Sequence, residues 1–412
     1  MKTDPAVVGR RHELSDPVVW FMSLAAALGT ATIYPLQPAI ADVANSLDAS
    51  LAAVGVALAG GPLGYMVGLG VLVPLVDRFY PGRVLSIQVG ILSAALFLSA
   101  VVGDAWTLGA ATGVIGACSA VGAGLSSVVG RLASPDRRAA TLGIVTAGIS
   151  AGILLGRIVG GWLAEVIGWR GMLMVFAVAC AVVAVALPLV VPKTRGRAER
   201  GYLDTLRSLP GLFVRYPALR LAAARGALWF FAFCALWAGL AVALSEPPYS
   251  FSAERIGMYA FAGLLGIPAT RVSGAYTDRV GAHRVILAGL LIAGAAAALV
   301  GFALPSAAAA LACLALFDAG LFAAQVANQS TVLAIDPAAP ARFNSACMLV
   351  YFVGGSLGTA FGASAVEQFG WSATTAITAA AIAIAAAITL GAERNCRTSS
   401  AHGGRRIDRY QP

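Results

Sequence analysis

Four charged residues, Arg157, Arg225, Arg271 and Asp318, interrupt otherwise apolar stretches of the chain. A charge at the centre of a membrane-spanning helix costs roughly 2.5–3.5 kcal/mol on insertion scales, so such residues mark ion pathways, substrate contacts or buried pairs. Asp318 lies about a dozen residues into its run and is the one deeply placed carboxylate. Its natural chemistry is to take up and release a proton. Gln325 and Gln329 follow it at helical spacing on the same face, with Asn328 beside them, so this polar stripe either lines a cavity or bonds to a neighbouring helix. Arg157 stands about sixteen residues from the basic end of its run. That is too deep for the side chain to reach head groups, so it faces protein or water and suits either an anionic substrate or a pair with Asp318. Asp318 can carry protons only if Arg157 is not tightly paired with it. Arg225 and Arg271 lie within one or two turns of a basic end, where snorkelling to the head groups gives them a mainly structural role.

Trp229, Phe233 and Trp237 continue from Arg225 at four-residue spacing. The stripe could stack on a flat or cationic compound, or could meet lipid or a neighbouring helix. His12, His283 and His402 all fall outside the apolar runs, which removes histidine proton relays. Cys118, Cys180, Cys234, Cys313 and Cys347 lie inside them without a C-x-x-C pair, so no disulfide framework, metal site or cofactor is expected. A lone intramembrane aspartate also fails the clustered-acid requirement of a membrane enzyme acting on diphosphates. No enzymatic activity is expected.

The elements that position these residues follow from composition. The 412 residues are 59% hydrophobic and 11% charged, well outside the range of a soluble domain. Uncharged runs occupy 17–41, 49–76, 84–103, 105–130, 139–156, 171–192, 226–245, 256–270, 343–366 and 368–392. A helix needs about 20 residues to cross the hydrocarbon core. The stretch 285–335 carries only Asp318 and has room for two crossings, broken near Pro305, which makes twelve in all. Lys and Arg are retained in the cytoplasm. With a cytoplasmic N-terminus, the inner segments hold nearly all the basic residues and the outer ones only Arg170 and Arg255. The net charge of +9 is thus a matter of topology, and nucleic acid is not an expected partner. The predicted fold class is an all-α integral membrane protein: a six-helix bundle over 1–192, a cytoplasmic linker over 193–219, a second bundle over 220–392 and a cytoplasmic tail over 393–412. The basic linker is read as solvated in preference to a segment that binds anionic lipid head groups or a partner.

Displacing the chain by 201 or 202 residues superposes Asp77 and Arg78 on Asp278 and Arg279, and Arg83 on Arg284. Pro135 meets Pro337, Gly152, Gly156 and Gly160 meet Gly354, Gly358 and Gly362, Glu165 meets Glu367, and Gly168 with Trp169 meets Gly370 with Trp371. Parallel repeats of this kind suit alternating access around a site near the midplane. The string GAYTDRVGAHR, with Gly274, Asp278, Arg279, Gly281 and Arg284, resembles the loop signature of the major facilitator superfamily, a conformational latch. Its first-half copy keeps Asp77, Arg78 and Arg83 but has Val73 for the glycine and an insertion at FYPG. Gly148, Gly152, Gly156, Gly160 and Gly161 form a helix-packing series similar to the fifth-helix motif of the superfamily's drug:proton antiporters, although Arg157 stands where those place a proline. The antiporters' fourth-helix arginine is missing, with Cys118 and Val121 at the matching places before Gly122 and Gly124. YPLQPAI, with Tyr34, Gln37 and Pro38, resembles the kinked end of the superfamily's first helix.

The resemblance implies a twelve-helix secondary transporter of the cell inner membrane, both termini cytoplasmic, working as a monomer on a small-molecule substrate. It implies that the tenth and seventh helices line the cavity, which assigns Asp318, Arg157, Gln325, Asn328, Gln329, Tyr34, Gln37, Trp229, Phe233 and Trp237 to the substrate or proton pathway. The leading expectation is proton-coupled efflux of an amphipathic molecule, as in multidrug resistance. The alternatives are proton-coupled or facilitated uptake of a sugar or organic anion, for which Arg157 is the favoured contact, and, from another class, a non-transporting receptor on the same fold.

Overall fold

The structure, a computed structural model, describes residues 14–134, 136–192, 202–336 and 340–407. Every regular element among the described residues is helical. Lipid offers no hydrogen-bond partner to a backbone, so each crossing must satisfy its own amides and carbonyls. The first crossing is α1 (Asp16–Ala31) and α2 (Ile40–Ser46); the second is α3 (Leu51–Leu58), α4 (Gly60–Val71) and α5 (Val73–Val76). The third is α6 (Pro81–Ser99), and the fourth is α7 (Ala105–Ser119) with α8 (Val121–Leu132). Crossings five and six share α9 (Arg138–Val190), which folds back at Gly168, where φ is 75°. After α10 (Tyr202–Arg215), the seventh crossing is α11 (Pro217–Ser245). The eighth combines α12 (Ala253–Met258), a 3-10 segment (Tyr259–Leu265) and α13 (Gly266–Val280). The last four are α14 (Ala282–Ala303), α15 (Ala307–Leu333), α16 (Pro340–Phe369) and α17 (Trp371–Ile407). Trp106, Leu189 and Phe302 are each at least 80% exposed, as lipid-facing residues must be.

The twelve predicted crossings are present, with the expected break near Pro305 between α14 and α15. Four details differ. The first run breaks over 32–39, where Pro35 and Pro38 each lack an amide donor. The eighth crossing is longer than 256–270, because Arg271, Asp278 and Arg279 end the uncharged run while the helix continues. The seventh starts at Pro217 rather than 226. The linker is not simply solvated: Leu209 and Leu212 are buried with Leu219, Val332, Phe343 and Cys347, and Arg220 donates from Nη1 to the α10 carbonyls of Phe213 (2.7 Å) and Val214 (3.1 Å). The basic N-terminus, the Pro135–Pro337 match and residues 193–201 lie outside the described residues.

The repeat seen in the sequence is repeated in the packing. A Cβ added at Gly148, Gly152 or Gly156 would overlap the carbonyl oxygen of Ser23, Ala27 or Ala31, and Gly160 sits equally close to Pro35. The first leg of α9 is therefore pressed against the first crossing backbone to backbone, which small residues alone permit. On α16, Gly354, Gly358 and Gly362 meet the carbonyls of Ala227, Phe231 and Ala235 on α11 in the same way. Gly168 and Gly370, both with positive φ, make the matching turns into the next crossing.

The two sets of helices close on the side away from the described ends of the chain. Gly161 packs on Ala253 and Gly257, Gly55 on Ala363, and Tyr65 on Phe352 with ring centroids 4.7 Å apart. The Ser356 hydroxyl donates to the Ala59 carbonyl (2.7 Å), and the Ala52 amide at the start of α3 donates to Glu367 Oε2 (2.7 Å). The other side carries contacts within the first set. Ser127 donates to Asp77 Oδ1 (2.6 Å), Arg131 pairs with the same oxygen (3.5 Å), and Arg137 pairs with Asp16.

Candidate functional site

Asp318 is 2% exposed on α15, and the indole N–H of Trp237 on α11 donates to its Oδ1 at 3.1 Å. Arg157 on α9 is 4% exposed, and its Nε donates to Gln37 Oε1 at 2.9 Å. Gln37 is available there because the first crossing is broken by its prolines, so its side chain projects from a turn. The Arg157 guanidinium carbon lies 4.6 Å from the Tyr34 ring centroid, 4.6 Å from that of Trp237 and 5.8 Å from that of Phe233. Such contacts give a desolvated cation on the order of 2 kcal/mol each. Arg157 and Asp318 do not form a salt bridge: no nitrogen–oxygen pair between them comes within the 4.0 Å of one. Trp237 stands between them, giving its ring to the cation and its N–H to the carboxylate. The chain Gln37, Arg157, Trp237, Asp318 thus runs from the first and fifth crossings to the seventh and tenth. Leu154 and Gly263 border it, since a Cβ at Gly263 would come 3.1 Å from Asp318 Oδ2.

One level nearer the chain ends, Trp229 Nε1 donates to Gln325 Oε1 (3.1 Å). Below that, Arg225 donates from Nε (3.0 Å) and Nη2 (2.6 Å) to Asn328 Oδ1, and Asn328 donates to the Ala222 carbonyl (3.1 Å). This corrects the snorkelling expectation for Arg225, which is 6% exposed and directed into the α11–α15 seam. Arg271 is exposed, as expected. The stripe Asp318, Gln325 and Asn328 faces α11, whereas Gln329 turns to α16 and donates to Asn344 Oδ1 (3.1 Å). Trp229, Phe233 and Trp237 are buried, so the lipid-facing reading of that stripe does not hold. Phe230 and Tyr351, stacked at 4.0 Å, extend the aromatic wall and were not singled out in the sequence. Their signal is weak because aromatic residues are common on any membrane helix.

The loop residues separate by half. Asp77 is tied to Ser127 and Arg131, and Arg83 lies over the Tyr80 ring at 5.6 Å. Asp278, Arg279 and Arg284 are exposed and make no ion pair among the described residues, while Gly274 is unobstructed and Gly281 turns with φ 88°. A separate apolar groove of about 540 Å³, lined by Ala53, Val56, Trp106 and Leu357 among others, contains none of these groups. No cluster of metal-ligating side chains occurs among the described residues.

Residues 19–359 match the Major Facilitator Superfamily. The chain is 31% identical over 361 residues to the uncharacterized transporter YgaY of Escherichia coli O157:H7, covering 88% of this chain and 92% of that one. It is also 31% identical to the probable transporter SCO4007 of Streptomyces coelicolor, covering 87% and 84%. The fold is similar to that of a bacterial homolog of the human lysosomal transporter Spinster in its inward-facing, unoccupied conformation (TM-score 0.74, 17% identity, 92% and 98% covered). It is also similar to that of the nucleoside transporter NupG (TM-score 0.75, 11% identity, 91% and 99% covered). With its repeated six-crossing halves and a buried polar chain between them, this protein belongs to the major facilitator superfamily of membrane transporters.

Proposed function

We propose that the protein is a proton-coupled exporter of a small amphipathic molecule, with Asp318 as the proton carrier. The observation that carries this reading is a buried carboxylate with an indole N–H as its partner and no guanidinium in salt-bridge contact among the described residues. A carboxylate locked to an arginine would stay ionised through the cycle, whereas this one is free to exchange a proton. Trp237 links that exchange to the substrate side, since a change in charge on Asp318 is felt through the ring that also contacts Arg157.

The bundles 1–192 and 220–392 rock about this chain, with the Gly55–Ala363 and Gly161–Gly257 contacts opening as the other side closes. Both termini are placed in the cytoplasm of a cell inner membrane, in keeping with Arg78, Arg83, Arg131, Arg279 and Arg284 on their side. Arg170 and Arg255 lie on the other. A potential of 100 mV supplies about 2.3 kcal/mol per charge, enough for roughly a 50-fold gradient per proton.

The test is energised inside-out membrane vesicles, in which both collapse of the pH gradient and accumulation of added amphipaths are recorded. Export by antiport predicts that accumulation and collapse occur together and that Asp318→Asn loses both. Accumulation that persists in Asp318→Asn would refute Asp318 as the proton carrier, and efflux of a preloaded compound would reverse the assigned direction.

A further inference from the structure

We infer that the molecule accepted at this site is an organic anion with a flat apolar body, its charge held by the free edge of Arg157. The inference rests on the reading of the Arg157–Trp237–Asp318 region as the substrate site, and it fixes the sign of the substrate's charge, which that reading leaves open.

The buried charges of the protein do not balance. Among the described residues, Arg157, Arg225 and Asp318 are the charged side chains under 9% exposed. Two guanidiniums therefore share the interior with one carboxylate. Neither forms a salt bridge to it. Arg225 directs Nε and Nη2 to the neutral Asn328. Arg157 directs only Nε to Gln37, and its two terminal nitrogens make no hydrogen bond or ion pair with another described residue. A buried cation left without a counter-charge is strongly unfavourable, and an incoming anion relieves that while an incoming cation worsens it. Protonation of Asp318 raises the imbalance from one positive charge to two.

The shape of the site adds to its charge. The rings of Tyr34, Trp237 and Phe233 surround the Arg157 guanidinium. The terminal N–H groups form the planar fork that suits carboxylate or phosphate oxygens, so an anionic head meets Arg157 and an apolar ring meets the aromatic wall. Gln325, Trp229 and Phe230 continue that wall toward Arg225. A small inorganic anion would leave this apolar surface unused. A quaternary amine could stack on the rings, but only beside the arginine's own charge.

The experiment uses the full chain, purified and reconstituted in nanodiscs, with four probes that share one ring system: 1-naphthoate, 1-naphthyl phosphate, 1-naphthamide and (1-naphthylmethyl)trimethylammonium. Binding is read by quenching of tryptophan fluorescence and by the shift in melting temperature. At least one of the two anions is expected to bind ten-fold or more tightly than the amide, with no binding of the cation. Preference between the anions tells a carboxylate substrate from a phosphate one. Arg157→Gln is expected to weaken anion binding at least ten-fold, with Arg157→Lys between it and wild type. Asp318→Asn is expected to bind the anions at least as tightly as wild type while its proton flux is lost. That contrast separates this inference from the assignment of the proton carrier. Equal or tighter binding of the cation or the amide, no binding of either anion to wild type, or undiminished binding in Arg157→Gln would each overturn it. Because the probe comparison is made in wild type, it stands even if an arginine variant does not fold.

Discussion

Trp237 is the residue that makes Arg157 and Asp318 one unit rather than two isolated charges. A hydrogen bond to a charged group contributes roughly 1.5–3 kcal/mol, so its loss should be visible in transport. Trp237→Phe keeps an aromatic ring near Arg157 and removes the N–H from Asp318. Proton flux in that variant is predicted to fall about ten-fold or more while the protein remains folded, as judged by its melting temperature; unchanged flux would remove the indole from the mechanism. Asp318 and Arg157 were legible in the sequence because a charge far from either end of an apolar run has few explanations. Trp237 was legible only as one member of a stripe, since a sequence does not say which helix an indole nitrogen faces. Arg225 misled for a related reason: its distance from the helix end permitted snorkelling, and only the position of Asn328 on another helix shows that its N–H groups are used inside.

The glycines on α9 and α16 are an element-scale feature, and their worth can be measured as stability. Gly156→Val would drive a side chain into Ala31, and Gly358→Val would do the same at Phe231. Each is predicted to destabilise by about 1–3 kcal/mol, the usual cost of overpacking, read as a lower melting temperature in detergent. Gly143 has nothing within 4 Å of an added Cβ. There Gly143→Ala should stabilise by roughly 0.5–1 kcal/mol through helix propensity alone. The start of α7 offers a pH test outside the membrane. Asp104 caps it, and its carboxyl is held below the ordinary value of 3.8 by the Thr107 hydroxyl and amide and by the Trp106 amide. A depressed carboxyl stabilises fully above its unfolded value and loses that contribution as pH falls through its folded value. Asp104→Ala is therefore expected to melt below wild type at pH 7, and the gap is expected to narrow as pH falls from 3.8 through the carboxyl's lower folded value. A gap that does not change with pH would assign the effect to something other than the ionised carboxylate. Twelve crossings could be counted from charge spacing because charges are expelled to helix ends. Charge spacing does not mark the end of a helix that carries charge beyond the bilayer, as α13 does, nor the docking of the apolar face of α10 on its neighbours.

Among the described residues, the two halves close on one side through small residues, the Tyr65–Phe352 pair and the Ser356–Ala59 and Ala52–Glu367 hydrogen bonds, and this closure defines the conformation. Glu367 donates nothing and accepts the Ala52 amide, placing a carboxylate at the N-terminus of α3, where the helix dipole favours it. Glu367→Ala should loosen this seam. A cysteine introduced at the buried Ala363 is expected to react several-fold faster with a membrane-impermeant maleimide in that background than in an otherwise wild-type one. Equal rates would show that the contact does not hold the closed state. The internal repeat was visible as a series of matched residues. The closed side was not, because the same sequence must support both states of an alternating-access cycle.

The most direct measurement is charge movement and internal alkalinisation in proteoliposomes of the purified chain, started by adding to the outside a naphthyl anion that binds, for wild type beside Asp318→Asn and Arg157→Gln. Ligand-driven proton movement in wild type alone, with Asp318→Asn binding but moving no protons and Arg157→Gln failing at binding, is the predicted pattern. Proton movement that survives Asp318→Asn would contradict it.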